Sequence, residues 1–176
     1  MSTAAINGLD WSAPERAMLE RLRSVLMPTG QPGLVNSVGV ASDLAAINEN
    51  GLTPPACYLI YGQPRLTSAT PERATWRHLF SVVVVAKMTP PLQRPAGPVD
   101  DDMLMQHEEA LPIVLAVSQA LHGWVCGVTG FGALVPEQGP PVGYTDLGNA
   151  FVTLRFGCDA TSVAQPGVNP RAGRPR

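Results

Sequence analysis

The fold turns on one stretch, Trp76-Arg-His-Leu-Phe-Ser-Val-Val-Val-Val-Ala-Lys87. Side chains on a strand alternate between faces. Trp76, His78, Phe80, Val82 and Val84 therefore share one side, and Arg77, Leu79, Ser81, Val83 and Val85 the other. β-branched and aromatic residues dominate, as a pleated and buried surface requires. Polarity is concentrated at the beginning, so the strand is predicted to run from a wet edge into a core.

Upstream, Ala56-Cys-Tyr-Leu-Ile-Tyr61 reads as a second strand covered on both faces, closed by Gly62 and Pro64. The stretch between the two strands is polar. Further back, Ser12-Ala-Pro-Glu15 has the form of a capping box, with Ser12 and Glu15 each reaching an orphan amide. Met18, Leu19, Leu22, Val25 and Leu26 follow at helical spacing, and Pro28 and Gly30 stop the helix. Val35–Ala41 suits a short strand, and Asp43–Asn48 a helical turn capped by Ser42.

Downstream, Thr89–Pro98 holds four prolines in ten residues and is expected to cross the surface as a loop. Asp100-Asp-Asp102 suits a helix start. Leu104, Leu111, Val114, Leu115, Ser118 and Leu121 then form a helical stripe ending at His122-Gly123. Pro112 interrupts it, so the helix kinks there or a second helix begins there with Pro112 in its first turn. Two strands are expected at Phe131–Val135 and Asn149–Cys158, separated by a Gly/Pro-rich loop, Pro136–Gly148. The division expected is an arm over residues 1–11, one α+β domain over 12–160, and a disordered tail over 161–176 with no periodicity and little to bury.

The chain has 176 residues, 45% of them hydrophobic, with a formal charge of −2. That is enough for a core without disulfides or metals, and it offers no basic field for nucleic acid. Cys57, Cys126 and Cys158 are an odd, widely spaced set and read as reduced thiols. No signal peptide is visible and the apolar runs are too short to span a bilayer, so a soluble, cytoplasmic protein is expected.

The residues that could carry chemistry stay scattered. His78 reads as a partly buried, satisfied core histidine. His107, Glu108 and Glu109 diverge by about 100° per residue on a helix and read as a solvated face. His122 and Cys126 are separated by glycine and lack a second ligand pair. Asp100–Asp102 lacks the ligand pattern of a calcium loop. Gly127-Val-Thr-Gly-Phe-Gly132 lacks the lysine of a phosphate loop. Arg171, Arg174 and Arg176 read as solvated tail charges. No catalytic residue, metal site or cofactor is expected. The contrasting reading, an enzyme using scattered groups such as His78, Asp146 and Cys126, or a small host binding module, would show a deep pocket with perturbed titratable groups.

The order of elements resembles the tail terminator proteins of long-tailed bacteriophages, Mu-like phages included. The resemblance is carried by the N-terminal amphipathic helix, Pro55-Ala-Cys-Tyr-Leu-Ile-Tyr61, the aromatic-led strand Trp76–Lys87, the helix ending Leu121-His-Gly-Trp124, and the closing strand Ala150-Phe-Val-Thr-Leu-Arg-Phe156. It implies a mixed, mostly antiparallel sheet with helices packed on it. It also implies a hexameric ring on the head-proximal end of the tail tube that stops tube growth and presents a surface to the head connector. The protein would then sit in the virion after assembly in the bacterial cytoplasm. Its partners would be its own copies, the tube protein and a neck protein, with neither nucleic acid nor membrane. A head-completion protein is the nearest alternative role. A ring needs two complementary patches per subunit, and proline-stiffened loops lose little entropy on docking. Leu92, Arg94, Tyr144, Asp146 and Arg155 are the candidate interface residues.

Overall fold

The computed structural model describes residues 10–43, 45–47, 53–87, 109–145 and 148–163. In chain order its elements are α1 (Ala13–Leu26), β1 (Ser37–Ala41), β2 (Ala56–Tyr61), β3 (Arg65–Ala69), β4 (Arg73–Lys87), α2 (Ala110–Leu121), β5 (Val135–Glu137), β6 (Gly143–Tyr144) and β7 (Asn149–Val163). The architecture is α+β. One seven-stranded sheet has the order β1-β2-β4-β7-β5, with β3 also pairing with β4 and β6 with β7. Among the described residues only β1 and β2 run parallel; the other pairs are antiparallel.

The central pair sets the frame. β4 and β7 are each 15 residues long and pair from Arg73↔Val163 to Lys87↔Asn149. The expected alternation holds, and the upper half is buried on both sides. Phe80, Val82, Val84 and Ala86 join the main core under the helices, whereas Val83 and Val85 join a smaller cluster with Ile47, Ala56 and Phe151 on the reverse face. Full burial of each such side chain is worth about 1.5–3 kcal/mol, so this half of the sheet dominates the stability.

α1 docks through Pro14, Met18, Leu22 and Leu26, a four-residue spacing that keeps one stripe on the sheet. Its start differs from the capping box. Ser12 itself has helical dihedrals (φ −87, ψ −15) and makes no side-chain cap, because a hydroxyl on helical backbone is directed away from the following amides. Asp10 takes over. Its Oδ1 accepts from the Ser12 amide at 3.0 Å and the Ser12 hydroxyl at 2.7 Å, and its Oδ2 accepts from Arg16 at 2.5 Å. Similarly, Asp43 rather than Ser42 caps the next turn, accepting from the Ala46 amide at 2.8 Å.

α2 begins at Ala110, which places Pro112 in the first turn, where its missing amide costs nothing. The buried stripe is Ala110, Ile113, Val117, Ala120 and Leu121. Leu111 and Leu115, expected to face inward, are 52% and 59% exposed. The segment carries no charge and its polar residues are confined to Ser118 and Gln119, so periodicity alone could not choose its face.

Three other expectations change. β3 arises from the polar stretch and is exposed throughout, held only by pairing with β4. Phe131–Val135 is not a continuous strand, because amides two residues apart, which a regular strand aims at one neighbour, go to different partners. The Gly132 amide reaches Asp159 O and the Leu134 amide reaches Trp124 O. Finally, β7 continues to Val163, with Ala160 and Ser162 buried and Asp159, Thr161 and Val163 outward.

Candidate assembly surfaces

Of the loop expected at Pro136–Gly148, the described part up to Thr145 runs along β7. Its two ends form β5 and β6, with Pro136 opposite Phe156, Glu137 opposite Arg155, Gly143 opposite Phe151 and Tyr144 opposite Ala150. Between them Gly139 passes so close to β7 that an added Cβ would sit 2.5 Å from the Thr153 carbonyl oxygen. Only glycine allows that approach.

An ion cluster locks the lower end of this strip. Arg77 donates from Nε and Nη2 to Glu137 Oε1 at 2.9 and 2.7 Å, and from Nη1 to Asp159 Oδ1 at 3.2 Å. The guanidinium crosses β7 over Gly157, where any Cβ would collide with Glu137 and lie 2.6 Å from Arg77 Nε. Three strands are thereby tied through side chains as well as backbone. The two acceptors hold Arg77 firmly in its charged form.

The candidate interface residues divide accordingly. Tyr144 lies on β6, 52% exposed, and Arg155 lies half-buried in β7 opposite Ser81 and Glu137. Leu92, Arg94 and Asp146 lie outside the described residues, so the structure does not bring the five together. Sequence reading missed the exposed apolar positions Leu111, Leu115, Val125, Val135 and Val142. The available signal was α2 itself, whose twelve residues include no charged side chain.

Groups considered for chemistry sit in apolar surroundings. His78 is fully buried, and burial lowers its proton affinity. Burial also pushes the Cys57 thiol up to about 12, and raises Cys158 to about 11, where Cys126 is a further contributor. Both thiols therefore stay protonated near neutrality. Cys126 and Cys158 border a recess with Met18 and Phe80 that has no room for a water molecule. Among the described residues, no three His, Cys, Asp or Glu side chains are placed to hold a metal ion. Also among them, no helix is long and apolar enough to cross a membrane.

The sequence model for the phage tail terminator protein family matches residues 14–164. The chain belongs to that family. The match begins one residue inside α1 and ends one residue past β7, so it covers the described fold from end to end. No individual curated protein matches the chain. Membership makes it a structural protein of the phage tail, carried in the virion and associated with tube and head components.

Proposed function

We propose that this tail terminator caps the head-proximal end of the tail tube as a hexameric ring, ending tube polymerisation and offering the surface that joins the head. The observation that carries the reading is the family match over the whole folded body. It acts by shape and contact, without a cofactor and without catalysis, and is assembled in the host bacterial cytoplasm.

The surface supports a ring built from two unlike patches, as head-to-tail closure demands. One is the outer side of α2, where Leu111 and Leu115 lie one turn apart on a helix without charge. A helix apolar on most sides belongs in an interior, and subunit packing would supply one. The other is the β5–β6 strip with Val135, Val142 and Tyr144, bordered by Arg155. Aromatic and arginine side chains are common energetic centres of interfaces. Leu92, Arg94 and Asp146 are proposed to contact the neighbour or the tube. In this reading an arm ahead of Asp10 and a tail beyond Val163 flank the domain, since Trp11 packs on it and β7 runs to Val163.

The test is to add purified protein to tail tubes and to filled heads and image both. Rings on tube ends are expected. Binding to heads alone would replace this reading with a head-completion role. Leu115→Glu should reduce ring mass by light scattering while leaving the monomer folded; an intact ring would remove α2 from the interface.

A further inference from the structure

His78 has a neighbourhood that tail assembly does not require. It projects from β4 to the helix side of the sheet and is sealed on every flank by aromatic rings. Trp11 and Phe131 meet it edge-on, with ring centroids at 5.1 and 5.0 Å, and Tyr61 stacks beside it at 5.9 Å. Tyr61 Oη is hydrogen-bonded to Nδ1 at 2.7 Å. Among the described residues neither His78 Nε2 nor the indole Nε1 of Trp11, both buried, has a hydrogen-bond partner. Trp11 also packs on Trp76 at 5.3 Å, and the Asp10–Ser12–Arg16 hydrogen bonds fix the backbone on either side of it.

We propose that His78 and Trp11 form an acid-released latch: neutral His78 keeps Trp11 seated over the core, and protonated His78 expels it, freeing the Asp10–Trp11 segment that leads into α1. In the neutral ring one nitrogen is served by Tyr61 and the other carries either a lone pair or one N–H. Protonation makes both nitrogens donors. Nε2–H then has no acceptor among the described residues, and the adjacent Trp11 indole is itself only a donor, so the charge is buried unpaired there. Displacing Trp11 lets water reach Nε2 at the least structural cost, because Trp11 lies just before α1 and the other cage residues are held in the sheet or beneath it.

Among the described residues the one charge that favours a protonated ring is Asp159, already paired with Arg77, and burial outweighs it. From β2 the facing group is the Tyr61 phenol, pushed up to about 12 chiefly by burial, with Cys158 and Glu15 of α1 contributing. From β7 they are Cys158, a protonated thiol bordered by Cys126, and Asp159, whose carboxylate lies across the sheet in contact with Arg77. Asp10 is held at about 2 by Ser12 and Arg16, so it remains ionised throughout the range in which histidine titrates. With the folded state favouring the neutral ring, the latch is unaffected above the ordinary histidine value of 6.5 and weakens as pH falls below it.

The test is acrylamide quenching of tryptophan emission in the full chain at about pH 7.5 and about pH 5, with far-UV circular dichroism alongside. The wild type should show a reversible, several-fold rise in quenching with unchanged secondary structure. Trp11→Phe should lose the rise, and His78→Phe should be insensitive to pH. Equal quenching at both pH values, a rise that survives in His78→Phe, or loss of the whole fold over the same interval overturns the latch. Should His78→Phe not fold, the wild-type histidine C2–H resonances decide. A His78 midpoint coincident with the quenching change supports the latch, and a His78 that stays neutral through that change refutes it.

Discussion

β4 and β7 are paired at every position, yet their two halves occupy different environments. From Val82 to Ala86 β4 is buried on both faces, opposite the buried Ala150 and Phe151. From Arg73 to His78 it has an aromatic face toward α1 and a charged face, Arg77 with Asp159 and Glu137, toward solvent. One continuous hydrogen-bonded ladder thus carries a dry half that sets register and stability and a wet half where polar groups gather. A one-residue slip would move Val83 and Val85 to the helix side and send Phe80 and Val82 to the other, so the dry half fixes where the wet half must fall.

The contrast breaks most severely in the dry half. Val84→Asp puts an unpaired charge into a fully buried site and should cost more than about 4 kcal/mol, enough to unfold much of the protein in urea titrations. At the edge of the sheet, Gly139→Ala drives a Cβ onto the backbone of Thr153. It should cost about 1–3 kcal/mol and raise amide exchange in β5 and β6 while leaving β2 protected. In the wet half, a double-mutant cycle between Arg77→Met and Glu137→Gln should give a coupling of about 1 kcal/mol that shrinks with salt, since side chains exposed by 25% and 29% are partly screened. The smallest effect belongs to Asp10, which is fully exposed. Its folded value near 2 lies below the ordinary 3.8. The anchor at the start of α1 is therefore complete above 3.8 and is lost as pH falls through about 2. Amide exchange at Ser12 should follow that profile, and Asp10→Ala should abolish it.

Elements with a strong internal pattern were legible from residues alone. α1, β2, β4 and β7 each bury a stripe or face that alternation or helical spacing already marks, while Pro112 left a kink and a helix start both open, and the helix starts at Ala110. β3 was not legible, because Arg65-Leu-Thr-Ser-Ala69 has neither alternation nor an apolar run and is a strand only through β4. Phe131–Val135 misled for the opposite reason: its apolar residues suit a strand, but the Gly132 and Leu134 amides, which a strand would aim the same way, reach different partners. Ser12 and Glu15 fit a cap by type, yet the preceding Asp10 competed for the same donors. Of the candidate interface residues, Tyr144 and Arg155 are placed, while Leu111 and Leu115 were assigned to the wrong side of a helix that carries no charge.

What the amino-acid order determined by itself was the set of strong elements, the absence of any recognisable catalytic motif and the resemblance to tail terminators, since each depends on local spacing. Tertiary structure alone decided which face of α2 is outward, that Gly139 and Gly157 allow the β5–β6 segment and the Arg77 cluster to lie on β7, and that Trp11 closes over His78. Those outcomes depend on groups far apart in the chain meeting at close range, and no local pattern encodes that distance.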